Sequence, residues 1–348
     1  VARKAVVLFN LGGPDNLNAV EPFLFNLFND PAIIRLPKPV RFLIAKLISK
    51  RRAPIAQEIY RKMGGASPLL DETDRQAKAL SEQLATNLDG DQYQVFVAMR
   101  YWHPRADAVA REVKAYDPDE VILLPLYPQF STTTSDSSLK EWAREADRAG
   151  ISAATTTLCC YPTETGFISA YTDLIRQSLQ KMEGEDAPRL LFSAHGLPKK
   201  IVDGGDPYQW QVEQTVAAIA AELAVADLDY RICYQSRVGP VEWIGPATED
   251  EIGRAGEDGK SLLVVPVAFV SEHSETLVEL DVEYAELAAE KGVPAYHRVP
   301  TVTCHPAFIK GLAGIVLNRK RGCHTSHCHD RLCPKSFVGC KTQPKEQE

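Results

Sequence analysis

The sequence predicts an α/β protein of two similar domains, each a parallel sheet flanked by helices, and three observations carry that expectation. A chain of 348 residues is longer than one core comfortably serves. Short apolar runs closed by turn residues alternate with helically periodic stretches such as Glu72–Leu88 and Gln209–Val225. The same order of runs, with similar chemistry at their ends, occurs once in each half.

In the first half Lys4–Phe9 runs into Asn10-Leu11-Gly12-Gly13-Pro14, and Gln94–Ala98 runs into Arg100 and Pro104. Glu120–Leu126 then reaches Ser131, and Ile151–Cys160 reaches Pro162. In the second half Arg189–Phe192 runs into Ser193-Ala194-His195-Gly196-Leu197-Pro198, and Tyr230–Cys233 into Arg237 and Pro240. Ser261–Val270 reaches Ser271, and Val293–Cys304 reaches Pro306. Strands alternating with helices imply parallel sheets covered on both faces. The acidic joint Glu183–Pro188 reads as a linker. The expected domains are residues 1–162 with 306–322, residues 163–305, and a Cys/His-rich tail at 323–348. The plainer view is that any α/β chain yields such coincidences. Ligands of parallel sheets gather beyond the carboxyl ends of strands, which singles out Arg100, His195 and the segment opening at Ser271.

Composition excludes other classes. With 45% hydrophobic and 24% charged residues the chain is globular, and a net charge of −7 argues against nucleic acid as a partner. No apolar run reaches the length of a membrane span, and Val1-Ala2-Arg3-Lys4 flows directly into a strand-like segment. A cytoplasmic protein is expected, whose eight cysteines are thiols or metal ligands rather than a disulfide frame.

Four stretches could carry chemistry. A lone histidine such as His195 is more often a hydrogen-bonded structural residue; at a strand's carboxyl end its imidazole suits a general base near neutral pH. The second stretch is Ser271-Glu272-His273-Ser274-Glu275-Thr276-Leu277 and its continuation to Tyr284. On a helix Glu275, Glu279 and Glu283 share one face, with Glu272 a turn before Glu275. An acidic surface helix is the commoner source of such a pattern. Here no lysine offsets the like charges from Glu272 to Glu290, and the run opens after the most apolar strand. With His195 and His273, these carboxylates form a file of ligands suited to divalent iron, although spacing alone does not name the metal.

The third stretch, Pro31–Pro54, holds seven Lys and Arg and no acid, with Val40, Leu43, Ile44, Leu47 and Ile48 at helical spacing. It is either a core face or an interfacial helix. The fourth is the tail, where Cys323, Cys328, Cys333 and Cys340 are interspersed with His324, His327 and His329. Their C-x4-C-x4-C-x6-C spacing matches neither common zinc nor ferredoxin patterns, so zinc, an iron–sulfur cluster and a disordered tail all stay open. Cys159, Cys160, Cys233 and Cys304 end apolar strands and read as small buried hydrophobes.

Seven motifs in order resemble ferrochelatases. They are Asn10–Pro14, Arg51–Pro54, Tyr60–Pro68, Arg100–Pro104, Phe192–Pro198, Gln235–Pro240 with Trp243–Pro246, and Ser271–Leu277. The resemblance spans residues 3 to about 320 and implies two Rossmann-like, chelatase-type domains, each a four-stranded parallel sheet. It implies insertion of Fe2+ into protoporphyrin IX, with His195 and Glu275 catalytic and a metal file of His195, Glu275, Glu272, His273, Glu279 and Glu283. Leu11, Tyr60, Tyr101 and Trp243 are the implied ring walls; Arg52, Ser67 and Ser236 match positions near the propionates, and Arg100 matches one facing the ring. Leu11 stands where some relatives carry methionine. Thr132 stands in the segment where cluster-bearing animal relatives have a ligand, so a [2Fe–2S] cluster here would draw on Cys323, Cys328, Cys333 and Cys340. The apolar lip favours protoporphyrin over coproporphyrin and implies peripheral membrane contact; a homodimer follows by analogy. The rival expectation from another class is a non-catalytic two-lobed carrier of haem or iron.

Overall fold

The structure is a computed structural model and describes residues 1–87, 90–182, 187–237 and 239–342. Leu88 and most of the Glu183–Pro188 joint lie outside the described residues. In chain order the elements begin with β1 (Arg3–Asn10), α1 (Val20–Phe28), α2 (Lys38–Lys62), α3 (Leu69–Ala85), β2 (Gln92–Met99) and α4 (Ala106–Tyr116). There follow β3 (Glu120–Pro125), α5 (Ser135–Ala149), β4 (Ala154–Leu158), α6 (Thr165–Lys181), β5 (Arg189–His195) and α7 (Lys199–Asp203). Next come α8 (Tyr208–Leu223), β6 (Tyr230–Gln235), α9 (Thr248–Glu257), β7 (Leu262–Pro266) and a π-helix, Glu275–Glu283. The last are α10 (Tyr284–Glu290), β8 (Tyr296–Arg298), α11 (Pro306–Leu317) and β9 (His324–Thr325).

The chain divides into two compact units. One comprises Val1–Cys160 and Ala313–Arg331 with Thr342; the other comprises Tyr161–Leu312 and Leu332–Lys341. The first holds a parallel sheet of order β2-β1-β3-β4-β9. Its central strands bury both faces, so Ala5–Phe9 and Glu120–Pro125 read as continuous buried runs rather than alternating ones. Helices α4 and α5 pack there through Val109, Val113 and Trp142 against Phe9, Phe96 and Leu123. The expected four strands become five because the tail supplies β9. Thr157 and Cys159 donate their amides to Cys323 and Thr325, so the tail covers a β4 edge that would otherwise expose unpaired backbone.

The second unit holds a four-stranded parallel sheet, β6-β5-β7-β8. Leu191, Cys233, Leu262 and Val264 pack with Ile252 of α9 and with Leu280 and Tyr284 beyond the sheet. Strand β5 runs past the expected Phe192 to His195, in register with Gln235 at the end of β6. The expected Ser261–Val270 run stops at Pro266, where proline's missing N–H ends the ladder. The ends of β5, β6 and β7 therefore share one sheet edge, and the π-helix follows β7 there.

The burial pattern of helix α2 bears on the alternatives left open for Pro31–Pro54. Its buried positions in that stretch are the small residues Ala45, Ser49 and Ala53, while Leu43 and Leu47 are each 67% exposed. Val40 is exposed as well, and Ile44 and Ile48 are half-buried. The large apolar side chains are thus not a core face.

Candidate active site

His195 is delivered by a strand whose preceding six residues are all buried. Behind it Ser193 donates its hydroxyl to Gln235 Oε1 at 2.8 Å, tying β5 to β6. The next residue must be small. A Cβ on Gly196 would stand 2.9 Å from the Gln235 carbonyl oxygen and 3.3 Å from Cε3 of Trp243. Glycine therefore lets the Trp243 indole close down beside the histidine.

Glu275 opens the nine-residue π-helix, a wide-turn geometry that elsewhere occurs mostly as single-turn bulges at functional sites. Its Oε2 lies 2.9 Å from His195 Nδ1. The other neighbour of that oxygen is His273, whose Nε2 is 3.7 Å away and whose Nδ1 faces the Ser271 carbonyl. Burial alone would lower the His195 pKa, but the Glu275 carboxylate more than reverses this and holds the imidazole above its ordinary value. Burial likewise works to raise the Glu275 pKa, and His195 followed by His273 pulls it well below the usual carboxylate range. An ionised Glu275 fixes the hydrogen of His195 on Nδ1 and leaves Nε2 as the acceptor. The His195 side chain is 39% exposed, so that acceptor has access to a ligand.

Glu279 is a hub of a different kind. It accepts the Ser236 amide at 2.8 Å, the Ser236 hydroxyl at 2.5 Å, the Gln235 amide at 3.0 Å and the Tyr284 phenol at 3.1 Å. Burial and then the charge of Glu275 push its pKa up. Ser236, with φ of +61°, sits in the left-handed region and is held there by both bonds to Glu279.

The rest of the expected metal file does not gather. Glu272 turns to Arg298 Nη1 at 3.0 Å and to the Thr301 amide at 2.9 Å, because a half-buried carboxylate needs a cation and donors more than it needs solvent. Glu283 is exposed. Among the described residues no group of three or more His, Cys, Asp or Glu side chains stands ready to hold a metal ion.

The unit that begins at Val1 carries the other expected ligand contacts. Arg100 has each of its three guanidinium nitrogens engaged: Nε by Ser137 at 2.8 Å, Nη1 by Glu141 at 3.0 Å and Nη2 by Asp30 at 2.8 Å. The Tyr101 ring is 1% exposed and its phenol donates to the same Asp30 oxygen; Tyr60 is 7% exposed. These three side chains therefore have little exposed surface here. Leu11 and Ser67 are half-buried, and Arg52 is exposed with its guanidinium 5.9 Å over the Phe28 ring. Gly13 lets its loop lie directly on Ser67, where a Cβ would clash with the hydroxyl at 2.4 Å. Sequence reasoning missed Asp30, Glu141 and Arg298, since each acts on a partner many residues away and has no local motif, and it quoted Gln235 within a motif without giving it a role.

The tail cysteines do not form the expected ligand set. Cys323 and Cys340 are half-buried, Cys328 is exposed beside Ser326, and Cys333 is buried with its sulfur accepting the Gln211 amide at 3.1 Å. Among the described residues they form no ready metal-binding group in this conformation. Cys159 is buried, and its sulfur also has polar neighbours: it lies 3.3 Å from Cys160 and 3.3 Å from Thr342. The Cys160 contact, against burial and assisted by His324, pulls the Cys159 thiol down to about 5.

Two parallel α/β units, one presenting a base–carboxylate pair at its strand ends, make up the layout of a metal chelatase. The structure of SirB from Bacillus subtilis with Fe3+ has the same fold, with a TM-score of 0.52 at 12% identity over 91% of this chain and 95% of that one. The chain belongs to the ferrochelatase family, whose model matches residues 3–320. It is 56% identical over 314 residues to the ferrochelatase of Caulobacter vibrioides, covering 90% of this chain and 89% of that one. The ferrochelatase of Rickettsia bellii is 52% identical over 345 residues (97% and 94% covered), and that of Pelagibacter ubique 48% over 340 residues (97% and 98%).

Proposed function

We propose that the chain inserts Fe2+ into protoporphyrin IX to give protohaem, the last step of haem formation, with His195 as the base and Glu275 as its carboxylate partner. The observation that carries this reading is the 2.9 Å contact between His195 Nδ1 and Glu275 Oε2 in a member of this family. A porphyrin that takes up a divalent metal must lose two pyrrole protons. With Nδ1–H donated to Glu275, His195 offers the Nε2 lone pair to one such proton, and the carboxylate stabilises the imidazolium that results. Glu279, whose pKa is pushed up by burial and then by the charge of Glu275, is the neighbouring group suited to carry a proton. Iron is substrate here: hard carboxylate oxygens of Glu275 and Glu279 favour exchange of its water ligands without a closed resident site. Ring distortion would draw a few kcal/mol from contacts remote from the reacting nitrogens. Trp243 beside His195 is the proposed porphyrin contact of its unit with accessible atoms; Leu11, Arg52 and Ser67 are those proposed for the unit that begins at Val1. Arg100, Tyr60, Tyr101 and Ser236 would shape those walls through the partners described above.

A single-turnover assay with ferrous iron and protoporphyrin, run beside coproporphyrin, tests the proposal. Haem formed by the wild type, with His195→Ala binding porphyrin but not metallating it, is the expected result. A wild type that binds porphyrin or iron without making haem would fit the carrier and overturn the enzyme reading.

Three further proposals concern partners and a cofactor. The exposed Leu43, Leu47 and Ile55 of α2, with Lys46, Lys50, Arg51 and Arg52 near them, support peripheral contact with a membrane that delivers an apolar substrate. No helix among the described residues is long and apolar enough to cross a membrane. A [2Fe–2S] cluster on Cys323, Cys328, Cys333 and Cys340 would require the tail to rearrange. A purified protein without visible absorption, iron or sulfide removes it. The homodimer suggested by analogy is tested by mass measurement in solution.

A further inference from the structure

Resting on the reading of His195 and Glu275 as the proton-handling pair, we infer that Arg298 is a positioning residue that clamps both flanks of the π-helix and so aims Glu275 at His195. Arg298 closes strand β8, at the edge of the sheet, and never reaches the pair itself. Its Nε and Nη2 grip both carboxylate oxygens of Asp281 at 2.5 and 2.7 Å, a bidentate fork that fixes orientation as well as distance. Asp281 lies within the π-helix, two residues after Glu279. The third arm, Nη1, reaches Glu272 at 3.0 Å, in the segment just before that helix begins. One guanidinium thus ties the entry segment of the π-helix to its later turn, with Glu275 and Glu279 between the two ties.

Neighbouring bonds support the same clamp. The Tyr296 phenol, on the same strand, donates to the Leu280 carbonyl at 2.7 Å, and the Thr301 amide after the strand donates to Glu272 at 2.9 Å. Wide π-helical turns are rare, and a lysine could not reproduce the fork that braces this one. Arg298 and Glu272 are largely shielded from solvent, at 10% and 17% side-chain exposure, so screening does little to loosen them. The Glu272 carboxylate keeps its charge under burial because Arg298 leads the groups that oppose it. Glu272 therefore serves iron insertion by holding the helix rather than by binding metal.

Two variants of the full chain test the inference in a steady-state metallation assay. Asp281 is exposed at 36% of its side chain, so Asp281→Asn removes half the fork with little risk to folding. The expected result is a kcat lower by about tenfold or more with porphyrin KM within about twofold of wild type, the split expected when only aim is lost. Arg298→Ala should lose more, and millimolar guanidinium or ethylguanidinium, which reoccupies the gap, should restore part of its kcat. Wild-type kcat in Asp281→Asn, or an Arg298→Ala loss untouched by guanidinium while its porphyrin binding is intact, overturns the clamp. Since wild-type metallation and the His195→Ala result are read in the same assay, failure of the clamp is separable from failure of the enzyme reading.

Discussion

Arg100 and His195 each stand just beyond or at the carboxyl end of a parallel strand, Arg100 after the edge strand β2 and His195 on the inner strand β5, yet they are opposite kinds of residue. Arg100 is 12% exposed at its side chain and spends its donors on Asp30, Ser137 and Glu141. His195 is 39% exposed and spends one ring nitrogen on Glu275, keeping the other for a ligand. The strand end supplies the place; the partners decide whether the side chain is spent in holding structure or poised for chemistry. A cation engaged at every nitrogen is fixed in place, whereas an imidazole with one nitrogen engaged is suited to act as the proposed base.

The contrast is broken most directly by exchanging consequences. His195→Ala should cut metallation by about 10²–10⁴-fold, the range for loss of a general base, while leaving thermal stability near wild type and porphyrin binding in place. Arg100→Met should do the reverse. It strands the buried Asp30 carboxylate, at a cost of about 3–5 kcal/mol read by denaturant titration, and any activity loss should track the folded fraction. An Arg100→Met protein of full stability but no activity would move Arg100 into the chemistry and erase the distinction. Asp30→Asn should fall between, because an amide keeps some of the bonds to Tyr101 and Arg100 while losing the charge.

The smallest effect on the fold is expected at the lip. Leu43→Ser with Leu47→Ser should change stability by no more than about 0.5 kcal/mol per site, since both side chains are largely exposed. It should nonetheless weaken sedimentation with anionic vesicles and raise KM for vesicle-borne protoporphyrin. Unchanged values of both would leave the exposed stripe without a membrane role.

Much of this was legible before any coordinates. The doubled order of strands, the station of His195 and the carboxylate run from Glu272 to Glu283 follow from periodicity and from where turn residues fall. What remained hidden was set by contacts between distant residues. Nothing local marks Asp30 as the partner of a residue seventy positions on, and nothing in the Glu272–Glu275–Glu279 spacing says that Glu272 belongs to Arg298. An ideal helix places those three carboxylates together; the π-helix begins only at Glu275, so Glu272 escapes the file. The tail misled for a related reason. Cysteines close in sequence went to separate surroundings, while Cys159 found Thr342 across most of the chain.

The central claim is that Glu275 raises the basicity of His195, and the pH dependence of kcat/KM in wild type and Glu275→Gln reads it most directly. On the proposed reading neutral imidazole is the working base, so activity should climb as pH rises through the His195 pKa, which the Glu275 carboxylate holds above the ordinary histidine value. Removing the carboxylate leaves burial as the dominant influence, which lowers that pKa. The acid limb of Glu275→Gln should therefore move to lower pH, with a reduced plateau because the imidazolium has lost its partner. An acid limb that stays where the wild type has it would contradict the pairing.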